Sequence, residues 1–124
     1  MAAFDAERVS RTVTGALAGP GGIALVIKVF GGLPGVIHTA ARRGMLRSQP
    51  ARLQIGDWRY EVTPDNRLRA AHVVGGIVIA DEVLLADAVG PHLARSLGQI
   101  VARYGAGVIP NIDAAVDALI ASAG

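Results

Sequence analysis

The chain has 124 residues, 52% of them hydrophobic but only 4% aromatic, and a net charge of +2. That length supports one domain with a sizeable core, which must be aliphatic and offers few platforms on which bases or sugars stack. The absence of cysteine excludes disulfides, zinc-thiolate sites and thiol catalysis together. The charge is unevenly spread. Between Arg42 and Arg69 seven Arg stand against three acids, whereas from Asp81 onward five acids stand against Arg95 and Arg103. A basic middle and an acidic end can attract each other within one molecule or between two copies.

The first charged residues are Asp5 and Glu7, the wrong order for a secretory leader. Asp5 is placed to cap a first helix with Val9, Val13, Ala16 and Leu17 on one face. Gly19-Pro20-Gly21-Gly22 should stop it. Ile23–Phe30 is apolar except for Lys28 and reads as a second short helix. After the glycine hinge at residues 31–35, Val36–Leu46 reads as a third, ending near Gly44 with Arg42 and Arg43 against the negative end of its dipole. Lys28 is the only charge between Thr12 and Ala41. A membrane span needs about 20 uninterrupted apolar residues, and the two glycine-proline groups cut this stretch shorter. Core helices of a soluble domain are expected, with a membrane-surface segment or a self-association face as alternatives.

The central stretch reads as an antiparallel meander. Trp58, Tyr60 and Val62 alternate with Arg59 and Glu61, which puts the apolar three on one strand face. Pro64-Asp65-Asn66 supplies turn chemistry, and Leu68, Ala70 and His72 continue the buried face on the returning strand. Gly56-Asp57 marks an earlier turn after a strand at Arg52–Ile55, and Gly75-Gly76 is a bulge or a turn opening a last strand at Ile77. Three or four strands are expected. Leu93, Leu97, Ile100, Val101 and Tyr104 then form a helical stripe with Pro91 in the first turn and Gly105 past the end. A final helix follows Pro110, with Asn111 as cap and Ile112, Ala115, Val116, Leu119 and Ile120 as its stripe.

Sites are sparse. His38, His72 and His92 lack the spacing of a metal pair, so neither a metal site nor a cofactor is expected. His72 or His92 with Asp81 or Asp87 would be the residues of a small enzyme, but acids near a helix start are ordinarily solvated and favoured by the dipole. The glycine runs carry no phosphate-loop or dinucleotide fingerprint. The most function-like group is Arg42, Arg43, Arg47 and Arg52, joined by Arg67 and Arg69, which can hold phosphates of nucleic acid or lipid headgroups. The competing reading is a solvated, paired surface.

Residues 57–66, Asp-Trp-Arg-Tyr-Glu-Val-Thr-Pro-Asp-Asn, and residues 74–83, Val-Gly-Gly-Ile-Val-Ile-Ala-Asp-Glu-Val, resemble small uncharacterised proteins of actinobacteria, mycobacterial ones especially. The resemblance covers the C-terminal two-thirds and brings no activity and no site residues. It implies a cytoplasmic setting.

The sequence therefore points to a single soluble α+β domain. Residues 1–48 are helical and apolar, 51–80 form the meander, and 86–123 form two helices packed on one sheet face. The functional expectation is a non-enzymatic interaction module whose partner is a second copy or another protein. An anionic-surface binder acting through the Arg group is the alternative, and the His–Asp enzyme the second alternative.

Overall fold

The computed structural model describes residues 3–40, 42–43 and 48–123. Its elements are α1 (Ala6–Ala18), α2 (Gly22–Phe30), β1 (Val36–Thr39), β2 (Arg42–Arg43), β3 (Ser48–Gln49), β4 (Arg52–Ile55), β5 (Trp58–Val62), β6 (Leu68–Val74), β7 (Ile77–Leu84), α3 (Ala86–Tyr104) and α4 (Ile109–Ala123), with a 3-10 turn at Ala106–Val108. The fold is α+β. Five strands form one antiparallel sheet in the order β1-β4-β5-β6-β7, and β2 pairs with β3 as a small separate ribbon.

The alternation in the meander fixes the register. Trp58 lies opposite His72, Tyr60 opposite Ala70 and Val62 opposite Leu68, so one face collects Leu53, Ile55, Tyr60, Leu68, Ala70 and Leu84, all in the core. The turns use the residues that their backbones require. Asn66 has φ 63°, and Gly75 and Gly76 have φ 59° and 80°, as a two-residue hairpin of mirror-image type demands.

The helices cover this face. Asp5 caps α1 by accepting from the Arg8 amide at 3.0 Å. Val13, Val26, Phe30, Leu93 and Leu97 are all fully buried. The apolar stretch weighed above is therefore largely core, and among the described residues no helix is long and apolar enough to cross a membrane. Helices α1 and α3 cross closely because Gly90 has no side chain. A Cβ there would stand 2.5 Å from the Ser10 carbonyl oxygen. Helix α4 packs against α1 and α2.

Four expectations need correction. The third helix does not form over Val36–Thr39, which is an edge strand paired with β4. Three of its four residues are β-branched (Val36, Ile37 and Thr39), and such side chains suit a strand better than a helix. Arg42 and Arg43, further along the same expected helix, form β2 instead, and its residues 41 and 44–46 lie outside the described residues. Secondly, the main sheet has five strands, and its last runs on through Asp81 and Glu82 to Leu84. Thirdly, Pro91 and His92 lie past the first turn of α3 rather than in it, because that helix already begins at Ala86. Lastly, α4 begins at Ile109, ahead of Pro110. A proline in the first turn loses no helical hydrogen bond, because the leading N–H groups have no partner there anyway. Tyr104 and Ile120 also leave their stripes, being 58% and 50% exposed.

Candidate interaction surface

Two features stand out from the framework, a polar cluster under α3 and an apolar strand at the free edge of the sheet.

The cluster is built where β5 passes beneath α3. Tyr60 is buried on the sheet's inner face, with its hydroxyl 2.7 Å from His92 Nδ1 and in contact with Ser96 Oγ. The Ser96 hydroxyl in turn lies 3.3 Å from the His92 carbonyl. With His92 protonated on Nε2, Tyr60 donates to Nδ1 and Ser96 donates to the Tyr60 oxygen. With Nδ1 protonated the chain reverses, and Ser96 donates to the His92 carbonyl. Every polar atom keeps a partner in either direction. Burial raises the Tyr60 hydroxyl well above the ordinary phenol range. Burial also lowers the His92 pKa, and Arg95 adds to the lowering while Glu82 opposes it. Trp58 closes the cluster, stacked on His72 at 4.6 Å between centroids and set edge-on to His92 at 4.4 Å. Tyr60 and Ser96 are 0% and 1% exposed, so this network holds β5 to α3 and presents no nucleophile to solvent.

The proposed enzyme pairs are not brought together. Asp81 pairs with Arg69 at 3.6 Å on the opposite face of the sheet from His72, whose partner on β7 is Ala80. Asp87 is exposed in the first turn of α3. Among the described residues no group of three His, Asp or Glu side chains is placed to hold a metal ion.

Within the Arg group, the strand register sets Arg52 and Arg69 on either side of Glu61 in one cross-strand row. Arg42 and Arg43 are positions of β2, and Arg47 lies outside the described residues. Arg52 pairs with Glu61 at 3.0 Å, Arg67 with Asp65 at 3.3 Å and Arg69 with Asp81 at 3.6 Å. All three pairs are solvent-exposed and individually weak. A cleft of about 260 Å³ lies at the other end of the sheet, between apolar walls that include Leu17, Ile23, Leu84 and Val89, with Arg67 among its lining.

The edge is the stronger feature. Every residue of β7 except Leu84 is exposed. Among the described residues nine large hydrophobic side chains are exposed, and six of them fall between Val74 and Leu85: Val74, Ile77, Val78, Ile79, Val83 and Leu85. Ile77 is 67% exposed and Ile79 59%. Singly exposed apolar residues are normal, but a contiguous run is the mark of a surface that meets something. The sequence carried a signal for it. Ile77-Val78-Ile79-Ala80 has no polar residue in its alternation, as a strand with one solvated face would have.

The chain belongs to the family described as a domain of unknown function (DUF5073), which matches residues 1–121. The match takes in the N-terminal third as well as the two-thirds that carried the resemblance. No curated protein and no solved structure matches the chain.

Proposed function

We propose that this domain is a non-enzymatic interaction module that associates with a second copy of itself. The observation that carries the reading is the exposed apolar run along the β7 edge. An edge strand offers unpaired N–H and C=O groups to any strand that comes alongside, and native domains blunt such edges when they are meant to stay single. Here that backbone template coincides with the largest concentration of exposed aliphatic side chains. Burying both together supplies hydrogen bonds and apolar area at the same contact.

The reading separates cleanly from the other source of self-attraction, the basic middle and acidic end. Association between opposite charges weakens as salt screens it, whereas apolar burial does not. The test is the light-scattering mass of the purified chain off a sizing column at low and at high salt. A dimer that persists in high salt is expected. A monomer under both conditions would overturn the reading, and a dimer lost in high salt would assign the association to charge rather than to β7.

A further inference from the structure

We infer that two copies join by antiparallel pairing of β7 with β7 about a two-fold axis at Val78, so that the two five-stranded sheets become one. This rests on the self-association reading above and adds its geometry.

The first argument is which contact can cover the exposed residues. Successive side chains of a strand point to opposite faces. Ile77, Val78 and Ile79 are nevertheless all exposed, so the apolar run is open on both faces as well as along its edge. A partner laid on one face would leave the other uncovered. A strand added in the plane of the sheet sets its own side chains beside those of β7 on both faces at once.

The second is self-complementarity. A two-fold contact brings the same patch against itself, and in an antiparallel pair the sequence is read against its own reverse. About Val78 the sequence is nearly its own reverse: Ile77 and Ile79 flank it, with Gly76 and Ala80 outside them. The axis therefore sets Val78 against Val78 and Ile77 against Ile79 of the second copy, and aliphatic cross-strand pairs of this kind stabilise a sheet.

The third is charge. Asp81 stands three residues from this axis and its counterpart three residues beyond it. At about 3.4 Å per residue they are ~20 Å apart, well past the Debye length of about 8 Å in physiological salt. An axis moved to Asp81 or Glu82 would instead set like carboxylates face to face, which is destabilising. The acidic half of β7 thus repels this pairing where the apolar half invites it. The bulge limits its length. The register with β6 passes from His72–Ala80 to Val73–Val78, leaving Ile79 over, and the added twist confines pairing to a short stretch.

The test uses the lack of cysteine, since a single introduced thiol is then the only one in the chain. In Val78→Cys the two thiols face each other across the axis, where opposed Cα atoms in a ladder are about 4.5–5.5 Å apart, inside the range that a disulfide spans. In Glu82→Cys they are too far apart to join. Both positions are exposed, and circular dichroism checks that each variant folds. The expected result is covalent dimer under mild oxidation from Val78→Cys and its loss in Glu82→Cys. Crosslinking at Glu82, at both positions equally or at neither, in a chain that still scatters as a dimer, would overturn this pairing and leave self-association standing. An unmodified chain that is monomeric at every salt concentration would remove both.

Discussion

The two edges of the sheet, β1 and β7, are built from similar residues and treated differently. β1 is four residues long, and Val36 at its start packs against the core. It lies against α2, and Gly31 just past that helix makes room for the His38 ring, which a Cβ at Gly31 would approach to 2.7 Å. β7 is eight residues long, and only Leu84 is buried. Shortness, cover and charge are the ordinary ways to keep an edge from pairing. β1 has the first two, while β7 has charge only at Asp81 and Glu82 and a bulge only at Ile79, and it is neither short nor covered. Exposure of an apolar residue does not by itself make an interface. What distinguishes β7 is an unbroken apolar run on a long, uncovered stretch of backbone.

The largest effect should come from breaking that run. Ile77→Glu combined with Ile79→Glu is expected to convert the dimer to monomer by light scattering with the far-UV circular dichroism unchanged, because both side chains already face solvent. Ile37 on β1 is 65% exposed against 67% for Ile77, yet Ile37→Glu should leave the dimer intact. Loss of the dimer from the β1 variant would abolish the distinction between the edges. Next in size is a change at the middle of the sheet. Tyr60→Phe keeps the ring but strips His92 Nδ1 and Ser96 Oγ of their shared partner. Leaving a buried polar group unpaired costs about 1–3 kcal/mol, read as a lower urea midpoint at unchanged slope. Since β5 lies between the two edges, the whole domain should lose that stability while the dimer contact at β7 survives.

The difference between the edges was half legible in the sequence. Strict alternation through Trp58–Val62 and turn residues at 56–57 and 64–66 placed β4 to β6, because period-two burial and turn chemistry are local properties that a sequence displays directly, while Gly75-Gly76 left a bulge and a turn into β7 both open. The other edge was hidden. Val36–Thr39 is too short to show a period, and it becomes a strand by pairing with β4, Val36 opposite Ile55 and Thr39 opposite Arg52. Non-local pairing of that kind overrides local preference. The polar cluster was hidden for the same reason. His72 and His92 were visible as isolated histidines, but nothing in their spacing announces that Tyr60 and Ser96 meet His92 beneath α3. The Arg group shows the converse. It is conspicuous in sequence, yet Arg52, Arg67 and Arg69 each stand beside a carboxylate once the chain is folded.

The smallest effect expected is one of pH, and it falls on the same cluster at the middle of the sheet. His92 packs against Trp58 on β5 and feels Glu82 of β7, while Arg95 is its near neighbour on α3. His38 on β1 is exposed. Burial, with Arg95 behind it, holds the folded His92 pKa below the ordinary value, and Glu82 only partly offsets this. An unfolded chain takes up this proton as the pH falls through about 6.5, where the folded chain still refuses it. The unfolded state then binds more protons, so stability must fall as the pH drops. The loss starts near that value and levels off once the pH lies below the lowered folded one. Protonation also turns Nδ1 from acceptor to donor, and the Tyr60–Ser96 chain has to reverse to meet it. Thermal unfolding of the wild type between about pH 7.5 and pH 5.5 should therefore show a falling midpoint, and His92→Gln should flatten that fall by removing the group. An equal slope in the variant would mean that the decline arises elsewhere, and would leave the imidazole as simple packing between the sheet and α3.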